Sequence, residues 1–377
     1  MRHDLRRLLG LVAAGVASLA VAAPPATAAA SVRTTVFASR LWKLGAITMD
    51  GSNVAVVRGA TLEVFPPHQR PSFRFCGEVD LVNVASRRLV RLSLRSRGLY
   101  CADNYFGGYL ALAGRRAYWV YNLSGNFLYQ SLFTGAPGSA QRTLVDHTFP
   151  GVYPELGPYI GPLAASGATF AYSQWRRVGL PPGCDFSGNV GPECTSVSAP
   201  QDFTLTLQGS LVALPAPGGL VASVDDAGRA AVMLASEGRV AIVARNAQTT
   251  ITTPIPGVSG RVADAALAGR WLVALAGKRI WAFDSQNGHL RASWPAQGAT
   301  HVDVWNGIAV FATRRQVIAV RLANGHRQVI QQLNRGRTFV DAAQIEASGI
   351  VWATRPVRDV DNHGLNAIYR VPVPHLH

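Results

Sequence analysis

Any chemistry in this chain has to come from acids and histidines that lie far apart in sequence. The 377 residues contain no Gly-x-Ser-x-Gly, His-Glu-x-x-His or Ser-x-x-Lys motif and no glycine loop that would cradle a phosphate. The remaining acid/base candidates are Asp103, Glu155, Asp264, Asp303 and Asp341, with His147 and His301. Two denser acidic stretches read as turns. Asp225-Asp226 sits just before Gly228, where Asp side chains commonly bond the backbone. Asp359–Gly364 starts like a calcium loop, but His363 stands at its fifth position and Arg370 at its twelfth, where a bidentate Glu belongs. His147, His301 and His363 have no metal-ligand spacing. No metal and no cofactor is expected.

Recognition chemistry is better represented. Aromatic residues gather in segments that read as loops: Phe73, Phe75, Tyr100, Tyr105, Phe106, Phe149, Tyr153, Tyr159 and, at a strand edge, Trp175. Exposed rings on one face can stack on sugars or hold a peptide. The competing role is packing of the loops onto the body of the fold. Tyr153 and Tyr159, in a Gly/Pro-rich stretch with little core to bury them, are the best contact candidates, with Trp175 beside them.

The elements that must position these groups start after a leader. Arg2, Arg6 and Arg7 precede the apolar run Leu8–Ala23, and Ala26-Thr27-Ala28 is a small-x-small cleavage site. Residues 1–28 therefore read as a secretory signal peptide and 29–377 as one mature domain. Arg6-Arg7 leaves twin-arginine export open beside the general route. No cysteine lies near the cleavage site, so no lipid anchor is expected. No later stretch is apolar enough to span a bilayer. An exported chain with four cysteines, Cys76, Cys101, Cys184 and Cys194, favours disulfides over zinc. Of the three possible pairings the local one is expected, Cys76–Cys101 and Cys184–Cys194. On the chain-entropy model these loops are worth roughly 3.5 and 2.7 kcal/mol.

The net charge is +15, and +13 once the leader's three Arg and one Asp are gone. Only Lys43 and Lys278 among the 36 basic residues are lysines. The Arg and Ala bias points to a GC-rich genome of actinobacterial type. A basic exterior suits anionic wall polymer or lipid headgroups, or serves solubility alone. Nucleic acid is not an expected partner outside a cell.

A repeat near forty residues organises the mature chain. Gly269, Gly307 and Gly349 each end one short apolar run and start another, at intervals of 38 and 42 residues. The same turn recurs at Gly51, Gly114, Gly167 and Gly228, at spacings of 63, 53 and 61 residues that mark insertions in the first units, which makes seven units. Several short strands per unit at this period predict a β-propeller. Strands are read at 262–268, 270–276, 279–283 and 290–294 in one unit, and at 301–305, 308–313, 316–321 and 327–332 in the next. The last unit owns only three, 339–345, 350–355 and 365–371. The segment 32–44 is expected to supply its fourth strand and close the ring, which removes an open seam. The fold expected is all-β: seven four-stranded antiparallel blades closed by an N-terminal strand.

Long insertions fall at 59–75, 96–105, 147–162, 176–202 and 355–364. Each joins strands two and three of a blade or crosses to the next blade. In an antiparallel blade both kinds of connection lie on one face, so a loop-rich face over blades 1–3 is expected to carry binding.

Trp281-Ala282-Phe283-Asp284-Ser285-Gln286-Asn287-Gly288, with a weaker copy at Ile318–Gly325, resembles the repeat of WD40-like and quinoprotein-like propellers. The resemblance implies the fold. Trp294 lies six residues after Gly288 where the quinoprotein dehydrogenases place theirs at four, and no two cysteines are adjacent. The resemblance therefore argues against that cofactor.

The functional expectation is a secreted or cell-surface, non-catalytic binding propeller. It would act as a monomer, with a protein or a cell-wall glycan as partner. The alternatives are an extracellular glycan lyase or hydrolase and an envelope assembly scaffold. Convergence of several of Asp103, Glu155, Asp264, Asp303 and Asp341 with His147 or His301 at the channel mouth would favour the enzyme. An apolar, aromatic mouth would favour binding.

Overall fold

The computed structural model describes residues 33–39, 43–64, 72–93, 104–124, 128–148, 158–177, 200–215, 218–235, 238–245, 251–334, 338–356, 366–374 and 376. These residues form seven four-stranded antiparallel sheets and no helix. The first strand in the chain, β1 (Thr34–Ser39), is held back for the last blade. Blade 1 is β2 (Lys43–Asp50), β3 (Asn53–Val64), β4 (Ser72–Asn83) and β5 (Leu89–Arg91). Blade 2 is β6 (Asn104–Ala113), β7 (Arg116–Ser124), β8 (Leu128–Gly135) and β9 (Arg142–Thr148). Blade 3 is β10 (Tyr159–Ser166), β11 (Thr169–Arg177), β12 (Pro200–Leu207) and β13 (Ser210–Val212). Blade 4 is β14 (Gly219–Val224), β15 (Arg229–Leu234), β16 (Arg239–Ala244) and β17 (Ile251–Pro254). Blade 5 is β18 (Asp264–Ala268), β19 (Trp271–Ala276), β20 (Arg279–Asp284) and β21 (Leu290–Pro295). Blade 6 is β22 (Ala299–Trp305), β23 (Ile308–Thr313), β24 (Gln316–Arg321) and β25 (Arg327–Gln332). Blade 7 is β26 (Thr338–Glu346), β27 (Gly349–Pro356) and β28 (Asn366–Val371), completed by β1.

The first strand of each blade contacts the first strand of the next, and β26 contacts β2, so the ring is closed. The expected closure holds: β1 runs antiparallel to β28, with Thr34 opposite Arg370 and Ser39 opposite Asn366. Arg33 lies over the Tyr369 ring at 4.4 Å. This seam gives the outer edge of blade 7 a hydrogen-bonded partner and ties both ends of the described chain into one sheet.

There is no single central core. Seven apolar clusters fill the seven gaps between adjacent blades. Between blades 6 and 7, for example, Val310, Ala312, Val317 and Ala319 meet Val340, Ile345, Ile350 and the fully buried Trp352. The middle strands are therefore covered on both sides. That is why β15 (RAAVML) and β19 (WLVALA) read as nearly continuous apolar runs and not as alternating ones.

Two placements differ from the sequence reading. The hairpin β3–β4 continues in register to Val64 opposite Ser72, so the connection in blade 1 is residues 65–71 only. Likewise β9 extends to Thr148 and takes in His147, and β10 begins at Tyr159. In both places strand pairing extends past the body of the blade, which composition alone does not reveal. The tips of the insertions, 65–71, 94–103, 149–157, 178–199 and 357–365, lie outside the described residues.

Candidate functional site

The seven inner strands surround a channel of about 900 Å3. Each inner strand starts at the face where the insertions leave and return, here the loop face. Each ends at the tight turn to its second strand, on the turn face. Blades 1–5 line the channel mainly with small and apolar side chains, among them Ala46, Ile47, Leu110, Ala111 and Ala265. Blades 6 and 7 contribute His301, Asp303, Asp341, Gln344, Glu346 and Arg355. Ser166, Asp225, Asp226 and Arg270 of blades 3–5 add polar groups at the turn-face end, so the division into an apolar and a polar wall holds towards the loop face.

Three of the five acids singled out from the sequence meet one of the two histidines on this polar side. Asp264, at the start of β18, contacts His301 Nδ1 through Oδ2 at 2.6 Å. The same oxygen accepts the Val302 N–H at 2.9 Å. Asp303 accepts the Ile345 N–H of blade 7 at 2.9 Å and its neighbour Val304 N–H at 2.9 Å. Asp341 pairs with Arg355 at 2.6 Å, and Arg355 donates to the Gly45 carbonyl of blade 1 at 2.8 Å. A run of contacts therefore passes from blade 5 through 6 and 7 to blade 1. Asp303 has both oxygens committed to backbone donors and acts mainly as a clamp between blades. His301, Asp341 and Arg355, with side chains 32%, 27% and 27% exposed, keep accessible surface.

The setting shifts three groups in one direction. Burial works against a charge on His301, but contact with Asp264, and Asp303 and Asp341 nearby, raises its pKa to about 9. Burial raises Asp303 to about 6, against the pull of its backbone donors and His301. Burial, with repulsion from Asp303, Asp50 and Asp226, raises Glu346 to about 8. At neutral pH His301 is charged and Glu346 is mostly protonated.

The turn-face end is built differently. Asp50, at the end of β2, accepts the N–H groups of Gly114 in blade 2 and of Gly167 in blade 3, the latter at 2.7 Å. Asn53 donates to the Gly114 carbonyl at 3.1 Å, and Ser166 donates to Asp226 at 2.7 Å. Gly167 has φ +56°, and a Cβ there would stand 2.5 Å from Asp226 Oδ1. A side chain there would strain the left-handed backbone and displace the Asp226 carboxylate from this turn. Asp225 takes the turn role expected of it, accepting the Arg229 N–H at 3.0 Å and pairing with its guanidinium at 2.7 Å.

The proposed contact aromatics have separate fates. Tyr159 opens β10 and is not a loop residue; it stacks on its cross-strand neighbour Trp175 with centroids 4.5 Å apart. Both rings are partly buried. Tyr153, Asp103, Glu155 and His363 lie outside the described residues, as do Cys101, Cys184 and Cys194. Cys76 is buried in β4. Sequence reasoning missed Gln344, Glu346 and Arg355. Glu346 had a signal: it ends β26 where Asp50 ends β2. Among the described residues no group of His, Cys, Asp and Glu has the arrangement of a metal site.

No family model and no curated protein sequence matches this chain. Solved structures do. A chain of the mitotic checkpoint complex superposes with a TM-score of 0.51 at 13% identity, over 98% of this chain and 99% of that one. The β-propeller domain of Cps50 (Swd1) from Myceliophteria thermophila gives 0.51 at 12%, over 90% and 100%. Virginiamycin B lyase from Staphylococcus aureus gives 0.51 at 6%, over 90% and 98%. At these identities the likeness is one of fold, shared with WD40 and other propellers alike.

Proposed function

We propose that this protein is an exported binding propeller that receives one sugar unit of a cell-wall glycan in its central channel, entering from the loop face. The observation that carries this reading is the two-sided channel. Sugar rings have an apolar C–H face and a hydrogen-bonding rim, and the apolar wall of blades 1–5 faces the polar wall of blades 6 and 7. Asp341, the carboxylate of the polar wall that keeps accessible surface, favours a donor, so an amino sugar suits it better than an acidic one. Insertions on blades 1–3, with Tyr153, would frame the opening and add specificity. Their stapling by Cys76–Cys101 and Cys184–Cys194 fits the absence of free cysteines among the described residues. The leader-like residues 1–28 support export.

A second reading has its own support. An imidazole held by a carboxylate, with Asp303 raised to about 6 nearby, is the kind of pair that performs proton transfer. The same geometry would serve a lyase or hydrolase acting on the bound glycan, and the lyase among the structural neighbours is compatible with it. An assembly scaffold has no specific observation in its favour here.

Titration calorimetry with glucosamine oligosaccharides and their N-acetylated counterparts tests the binding reading, with mass spectrometry of the same mixtures. The expected result is preference for the free amines, weakened about tenfold by Asp341→Asn, without new products. Shortened products that vanish in His301→Ala would move the assignment to catalysis. Absence of saturable binding to either series would remove the channel as a glycan site.

A further inference from the structure

We infer that a second site, on the turn face between blades 1 and 2, binds an anionic group of the phosphate or carboxylate class. A cavity of about 510 Å3 opens there, separate from the channel. Arg88, from the β4–β5 turn, and Arg115, from the β6–β7 turn, both line it. Each is exposed, and among the described residues neither guanidinium has an ion-pair partner. Asn83 and Ser86 add hydrogen-bonding groups, Leu81 and Val90 supply an apolar floor, and among the described residues no carboxylate lines the cavity.

Both turns are fixed from behind. Asn83 Oδ1 accepts the N–H groups of Ala85 and Ser86 at 3.2 and 3.0 Å, an Asx-type turn that sets the path of residues 83–88. Val84 N–H bonds the Ser52 carbonyl at 2.9 Å, and Arg87 N–H bonds the Asn83 carbonyl at 2.8 Å. Arg87 accepts φ +56° to let the turn close. On the other side, Asp50 and Asn53 hold the Gly114–Arg115 turn through the bonds described above. The polypeptide thus spends four side chain–backbone bonds on placing two arginine-bearing turns at one cleft. Guanidinium forks match phosphate and carboxylate oxygens, and fixed backbones lower the ordering cost of using them. The apolar floor favours an anionic group carried on an organic body over a bare ion. Such a group can come from a free metabolite-sized anion or from a repeating wall polymer.

The test is equilibrium binding of full-length protein to inorganic phosphate, citrate and polygalacturonate at fixed ionic strength. The variants are Arg88→Gln/Arg115→Gln and, as a control of equal charge change on the loop face, Arg314→Gln/Arg315→Gln. The expected result is saturable binding to at least one probe, weakened ten- to a hundredfold by the first pair and less than twofold by the second. Saturation by citrate or phosphate identifies a free anion as the source, and saturation by polygalacturonate alone identifies a polymer. Equal losses in both pairs would reduce the effect to net charge and overturn the site, as would no saturable binding to any probe. All four positions are exposed turn residues, and unchanged thermal midpoints confirm that both variant pairs fold.

Discussion

The two ends of the channel use the same residue types for opposite purposes. At the turn face, Asp50 and Asp226 are consumed by donors from neighbouring blades: turn amides for the first, the Ser166 hydroxyl for the second. At the loop face, Asp264 pairs with His301 and Asp341 with Arg355, and all but the more buried Asp264 keep a quarter or so of their surface accessible. An aspartate held by backbone N–H groups stabilises the ring, and Asp303 commits both oxygens in this way. One that pairs with a mobile side chain can exchange that partner for a substrate. The lesson is that residue type does not separate scaffold from site in this propeller; the partners of each carboxylate and the surface it keeps do.

This contrast can be broken most sharply at the turn face. Asp50→Ala should leave two turn amides without their acceptor and cost about 3 kcal/mol. Chemical denaturation would detect this as a clear fall in midpoint, and a shift below about 1 kcal/mol would mean that water replaces the carboxylate and the end is not a clasp. At the loop face His301→Ala should cost less than about 1 kcal/mol, because the pair is partly exposed and screened. A large loss there would make His301 a structural residue like Asp50 and undercut the channel site.

The pH dependence of stability sharpens the comparison further. Native Asp303, Glu346 and His301 all hold protons above their unfolded values, to about 6, 8 and 9 against 3.8, 4.5 and 6.5. Unfolding then releases protons across these windows, so stability should fall as pH rises from about 4 to about 9. Thermal midpoints in a pH series read this directly. Glu346→Gln should flatten the slope between about 4.5 and 8 and leave the rest. A midpoint that rises through this range would contradict the shifted values. At Tyr159→Ala, loss of the Trp175 stack should cost about 1 kcal/mol. Unchanged glycan binding in that variant would assign the ring to packing.

Much of the fold was legible because propeller physics is local. The turn glycines from Gly51 to Gly349 each lie at the junction between an inner strand and the second strand of its blade, and the strand limits read for blade 6 differ from the observed ones only at the start of β22. The missing fourth strand of the last unit pointed to β1. The extended hairpin β3–β4 and the start of β10 were not legible, because pairing beyond the blade depends on the partner strand and not on composition. Asp264, Asp303, Asp341 and His301 were picked out as candidates from their positions near strand starts. Their partners were not: Arg355 stood at the edge of a presumed loop, and Gln344 has no motif at all.

The sequence by itself determined the propeller architecture, the turns between strands and the manner of ring closure, and pointed to seven blades with six or eight left open. Each rests on periods of two or about forty residues, which side-chain alternation and glycine conformation encode within a few positions. Only the tertiary structure decided which carboxylates are clasps and which are available. Asp50 meets Gly167 across 117 residues and Arg355 meets Gly45 across 310. Those meetings depend on seven first strands converging around one axis, and no local pattern specifies the distance between side chains that come from different blades.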